Sequence, residues 1–400
     1  MSGGRTARLR PTNAALLSLA VAMGARAVGC ASAEPSLDEV PGPEGDADSG
    51  SVVDAGATDG EEAADGEAAA PSPRCSADGW CRVDMPSDKV SLFGIWGSSA
   101  GDVWMVGSSG AVFHWNGSAW DEQRLLTDAG QQKPLFGVWG SGPNDVWLFG
   151  ADEIRHSDGW NDAGTGWSTF ELAGKTDKTL VSDFRAVWGS GATDVWTVVG
   201  STGLISAGTL HKCLRSEGWN GDTTALVPAF DYFKLHTPGT NFHAVWGSGP
   251  NDIWLAGDSG RIFHTDGYWG NMAEWRTHNS NTRARLLRLW GTAPDDAWAI
   301  GEIGTIRHWT YNEGGELYWA PSESTTTSTL RAIWGSSATD VWVVGDDGTV
   351  LHGDGATWSR AEVPVPEGRP LYGVWGSGAD DVWIVGERVI LHRGAPGAAK

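Results

Sequence analysis

Six histidines recur at one place in a repeated segment of this sequence: His114, His156, His264, His308, His352 and His392, with Ala207 in the third copy. Imidazole is a common metal ligand, but ligand nitrogens must converge on one ion at about 2 Å. Equivalent positions in successive copies of a structural unit stand apart, so the histidines cannot share an ion. The better chemistry lies within each copy. Asp102, Asp145, Asp252, Asp296, Asp340 and Asp381 recur in step with the histidines, as does a Ser or Thr after a Trp-Gly pair. A Trp–Ser–Asp–His hydrogen-bond set in each of the six histidine-bearing copies follows, with no metal and no cofactor.

Two departures from the repeat could carry binding. The residue after the glycine that closes the second strand of each copy reads Ser108, Ala151, Ser201, Asp258, Glu302, Asp346 and Glu387. Four consecutive copies thus place an acid in loops expected to gather on one face, an acidic crescent that would draw a basic partner or a hard cation. The plainer reading is turn chemistry on a solvated surface. The second departure is the third copy, 58 residues long, whose extra length holds Trp219, Phe230, Tyr232, Phe233 and His236. Aromatics on an inserted loop are common binding anchors, although the same side chains could fold onto their own edge.

The elements that position these residues follow from the repeat. Trp-Gly-Ser/Thr, three variable residues, Asp, Val/Ile/Ala and Trp occur seven times, with the first Trp at 96, 139, 188, 246, 290, 334 and 375 and the second eight residues later. A period of 41 to 58 residues repeated this often marks a ring or solenoid of one unit. Each unit reads as four short strands. Phe242–Trp246 and Asp252–Ala256 are the first two, a Gly-bearing hairpin leads to a third such as Thr349–His352, and a fourth begins near a Trp such as Trp358. The prediction is an all-β, seven-bladed β-propeller over residues 75–400. Indoles fill the wedges between blades.

Closure is also legible. The chain ends one strand short of a blade at Val389–Gly394, while Ala77–Pro86 resembles the fourth strand at Asp354–Pro364. An N-terminal strand therefore completes the last blade and hides two open edges, braced by a Cys75–Cys81 disulfide.

The formal charge of −22 is unevenly spread. Arg5, Arg8 and Arg10 precede an apolar run at 14–25 that is too short to span a bilayer, the pattern of an export signal over residues 1–30. Two exits compete: an ordinary cleavage site at Ala31-Ser32-Ala33, and Ala27-Val28-Gly29-Cys30, which resembles the bacterial lipobox and would lipidate Cys30. Residues 31–74 are acid-rich with almost no large apolar side chain, which reads as a disordered acidic linker. No clustered basic surface suggests nucleic acid. Cys213 is left over, as a buried thiol or an intermolecular bridge.

The Trp-Gly-Ser-x-x-x-Asp-Val-Trp-x-x-Gly repeat resembles that of secreted or lipidated bacterial propellers, over residues 75–400. His114–Trp120 and Gly353–Trp358 are loosely similar to the Asp-box of sialidase-type and photosystem-assembly-type propellers, and the hydrogen-bond set to that of WD-repeat propellers. A sialidase-like site would need an arginine cluster with a Tyr–acid pair, and no motif surrounds Tyr232, Tyr268, Tyr311, Tyr318 or Tyr372. Gly-x-Ser-x-Gly, His-Glu-x-x-His and P-loop motifs are absent as well. The expectation is a monomeric, non-enzymatic binding or scaffold module, exported as an outer-membrane or cell-surface lipoprotein, or otherwise periplasmic or secreted. Its partner would be an envelope or extracellular protein or glycan. The alternative is a carbohydrate-active propeller, either a lectin or a glycosidase.

Overall fold

The computed structural model describes residues 74–394, apart from 86, 88, 128–129, 151–152, 161–165, 171–181, 202–208, 214–225, 229–240, 267–274 and 367. Cys30, Trp219, Phe230, Tyr232, Phe233 and His236 lie outside the described residues, as do the export signal and nearly all of the linker. Cys213 closes the strand Thr209–Cys213.

The described strands pair into seven four-stranded antiparallel sheets, an all-β propeller with only short 3-10 turns for helix among the described residues. Sheet four is representative. Its strands are Phe242–Gly249, Asp252–Gly257, Arg261–Thr265 and Arg276–Asn279, each paired with the next. The second strand is apolar on both faces, because each inner strand is covered by a neighbouring sheet on either side. Ile253, Trp254, Leu255 and Ala256 are accordingly at most 1% exposed.

The Trp-Gly pair makes the joints between sheets. A Cβ added to Gly140 would stand 2.5 Å from the Trp96 ring, and the same approach repeats from Gly189 to Trp139, Gly247 to Trp188, Gly291 to Trp246, Gly335 to Trp290 and Gly376 to Trp334. The last indole, Trp375, lies against the first glycine, Gly97, at 2.6 Å from its would-be Cβ, and the ring closes. The glycine is required here by space: only a residue with no side chain lets the edge of the neighbour's indole come this close to the strand.

Trp80–Val83 pairs with Val389–Arg393, joining the two chain ends in the sheet of Leu371–Gly378 and Asp381–Gly386. Trp80 is completely buried and meets Trp342 edge-on at 5.2 Å between ring centroids. The Asp78 carboxylate accepts the Glu362 backbone N–H at 2.6 Å, tying the clasp to sheet six. Cys75 and Cys81 are disulfide-bonded.

In the Gly-bearing hairpin between second and third strands of sheet four the left-handed pair is Ser259 and Gly260, at φ 57° and 68°. Two positive φ values match the twist of the flanking strands, and Ser109-Gly110, Ile303-Gly304 and Asp347-Gly348 follow the same pattern.

Candidate binding site at the channel mouth

Each innermost strand carries two β-bulges. The second falls at the Ser or Thr after Trp-Gly, between Gly97 and Ser99 in sheet one and at the equivalent place in the others. It turns the hydroxyl onto the aspartate of its own sheet: Ser141 donates to Asp145 at 2.6 Å and Ser248 to Asp252 at 2.6 Å. The histidine meets the other carboxylate oxygen in six sheets, at 2.7 to 2.8 Å for His114, His156, His264, His308, His352 and His392. In four sheets the second Trp adds its indole N–H, from Trp104, Trp147, Trp196 and Trp254. For Asp102, Asp252, Asp296 and Asp381 burial raises the carboxyl pKa, but the hydrogen bonds from His and Ser or Thr outweigh it, leaving each below the usual range. These sets are scaffold, and among the described residues no His, Cys, Asp or Glu group is arranged to hold a metal.

The first bulge does something else. It falls three residues before the first Trp of each repeat, at Phe93, Phe136, Arg185, His243, Leu287, Arg331 and Tyr372. A bulge re-aims its extra side chain, and all seven line one cavity of about 500 Å³, together with Phe184, Asn241, Asp258, Arg285 and Arg288. The sequence reading missed this site. Its signal was available, because this is the innermost-strand position at which an otherwise strict repeat changes chemistry from copy to copy.

The cavity has two halves. On one side Phe93 packs against Phe136 at 5.9 Å and against Tyr372 at 5.3 Å. The other side is a chain of cations and acids. Arg185 donates to His243 Nδ1 at 2.9 Å, so His243 Nε2 carries the proton and donates to Asp258 Oδ1 at 2.8 Å. Burial, with Arg185 and Arg285 adding, holds the His243 pKa below its ordinary value, in keeping with a neutral ring. Asp258 also accepts from Asn241 and from Arg285 at 2.8 Å; against the opposing effect of its burial, these bonds and the one from His243 bring its carboxyl down to about 2. Arg285 reaches on to Glu302 at 3.0 Å. Arg331 grips Asp346 with two nitrogens, at 2.5 and 2.9 Å, while its guanidinium lies 5.5 Å over the Tyr372 ring.

The acidic residues singled out in the sequence therefore sit on the mouth side, but Asp258, Glu302 and Asp346 are each bound to an arginine. Glu387 lies near Tyr372, whose hydroxyl pKa burial raises and Glu387 and Asp346 raise further against Arg331. A larger groove of about 690 Å³ runs beside the clasp, lined by Trp342, His352, Ser359, Arg360, Ala361 and Arg393. Trp342 and His352 are repeat positions, so their chemistry is common to the other sheets.

No known protein family and no curated protein matches the sequence. Solved structures do. YCF48 from Cyanidioschyzon merolae superposes with a TM-score of 0.59 at 16% identity, over 80% of this chain and 99% of that one, and a second structure shows YCF48 bound to D1 peptide, at 0.59 and 17%, over 80% and 97%. A catalytically inactive virginiamycin B lyase from Staphylococcus aureus, with quinupristin, reaches 0.58 at 14%, over 78% and 98%. The WD40 propeller domain of Doa1 reaches 0.58 at 13%, over 79% and 98%. At these identities the likeness is one of fold, and the neighbours include both a peptide-bound propeller and a lyase.

Proposed function

We propose that this chain is an exported, lipid-anchored, seven-bladed propeller that holds a protein partner of the cell envelope at the channel mouth. The observation that carries the reading is the ring of seven bulge residues, which are of five different types within a strict repeat. A structural position would be expected to repeat with the scaffold. A binding position need not. YCF48 bound to a peptide and the WD40 domain of Doa1 lend support by fold alone.

Ile303 adds a second support. It is 71% exposed on the hairpin beside Glu302, and it holds φ at 56°, a conformation that a β-branched residue rarely adopts. Strain of this kind costs on the order of 1–3 kcal/mol and tends to be kept where it serves function. Ile303→Gly is therefore expected to raise the melting temperature and yet weaken capture of a partner from envelope extract by the full-length tagged chain. Capture that survives Ile303→Gly but fails when Phe230, Tyr232 and Phe233 are replaced by Ser would move the site to the third-repeat insertion. For the anchor, fatty-acid labelling should tag the wild type and spare Cys30→Ser; a mature chain beginning at Glu34 would refute it.

A glycan-directed reading has one specific observation behind it. Arg185, Arg288 and Arg331 meet Tyr372 around one cavity, a grouping that the sequence did not display. The chemistry disfavours hydrolysis, because Arg331 is committed to Asp346 and the Tyr372 hydroxyl is shifted away from the nucleophilic phenolate. Binding of acidic glycans on an array, with no dependence on a protein partner, would favour the lectin.

A further inference from the structure

Arg288 breaks the repeat at a position where the other six copies allow almost no side chain. Two residues before the first Trp they carry Gly94, Gly137, Ala186, Ala244, Ala332 and Gly373. The reason is contact: a Cβ on Gly94 would stand 2.7 Å from Gly137 Cα, and Ala244 is 1% exposed. Sheet five instead puts a guanidinium here and directs it to the same cavity.

Among the described residues Arg288 is also a cation of the mouth without a carboxylate partner. Arg285 has Asp258 and Glu302, and Arg331 has Asp346. Among the described residues the Arg288 side chain makes a single hydrogen bond, to the Leu287 carbonyl at 2.7 Å. A guanidinium carries five N–H donors in a planar fork suited to a carboxylate. Burial, with Arg331 beside it, pushes its pKa down to about 10, the mark of a cation short of an anion. Opposite stands the aromatic half of the cavity, Phe93, Phe136 and Tyr372.

We infer that the mouth binds a carboxylate joined to an apolar body, the carboxylate on Arg288 and the body against Phe93, Phe136 and Leu287. This rests on the mouth being the binding face. The chemistry could be presented by a peptide that ends in an apolar residue or by a free organic acid. A cavity of about 500 Å³ takes either.

The test uses the full-length protein and calorimetric or ligand-observed NMR titration with 3-phenylpropionate, 3-phenylpropanamide, N-acetylneuraminate, and N-acetyl-Ala-Ala-Phe as free acid and as C-terminal amide. Each acid is expected to bind about tenfold or more tightly than its amide, the scale of a charge-assisted pair. Arg288→Ala should erase that preference. It restores the side chain found in three other copies, so the variant is expected to fold, and an unchanged melting curve checks this. A tighter tripeptide acid points to a chain end, and a tighter phenylpropionate to a free acid; both support the inference. Equal binding of acids and amides, an acid preference that survives Arg288→Ala, or tightest binding of N-acetylneuraminate would overturn it. If the acids fail while partner capture still depends on Ile303, the ligand chemistry is wrong and the mouth remains the binding face.

Discussion

Deleting residues 75–90 is expected to lower the stability of the propeller by about 5 kcal/mol or more, with a fall in melting temperature on the order of 10 °C. The deletion removes the strand Trp80–Val83, strips the partner from Val389–Arg393, and empties the space of the completely buried Trp80 beside Trp342. Loss of a buried Trp alone costs about 3–5 kcal/mol, and the exposed edge of the last sheet is then open to pairing with other chains. Deleting residues 31–74, whose composition gives almost no large apolar side chain to bury, should leave the melting curve nearly unchanged. Thermal unfolding of both truncations checks the contrast. Equal melting of the two would mean that the clasp contributes nothing to ring closure.

Gly376→Ala is expected to destabilise by about 3 kcal/mol, the upper part of the range for forcing a methyl into a packed site. Its Cβ would stand 2.5 Å from the Asp381 backbone oxygen and 2.6 Å from the Trp334 ring. One contact is backbone and the other a wedged indole, so neither yields easily. Two residues on, Gly378 has nothing within 4 Å of a Cβ, and Gly378→Ala should stay within about 0.5 kcal/mol of wild type. Denaturant midpoints of the pair measure the difference. A neutral Gly376→Ala would show that the sheets are not joined by indole on glycine.

Much of the scaffold was legible because it repeats. The strand read over Phe242–Trp246 runs over Phe242–Gly249, the one over Thr349–His352 over Val350–Gly353, and the His–Asp pairs fall where the spacing put them. Periodicity reports what every copy shares, namely wedges, turns and hydrogen-bond sets. It is silent on what only one copy does. Arg288 in a Gly/Ala column and the changing residue at each bulge are visible in the sequence once the copies are aligned, but their meaning depends on the bulge, which adds one residue and turns it into the channel. A strict two-residue alternation does not foresee that turn. The acidic crescent shows the converse. Asp258, Glu302 and Asp346 were read as residues on equivalent loops, but their arginines come from elsewhere, Arg285 from just before the strand Leu286–Ala293 and Arg331 from Leu330–Ser337, and the pairing exists only in three dimensions.

The direct measurement of the central claim is where a captured partner touches the propeller. A photo-crosslinking amino acid is placed in the full-length chain at Leu287 in the mouth, and in a second protein at Tyr311, 56% exposed on the third strand of sheet five. Irradiation in envelope extract should join the partner to the Leu287 probe and leave the Tyr311 probe unmodified. A partner that crosslinks from Tyr311 and never from Leu287 would contradict binding at the channel mouth.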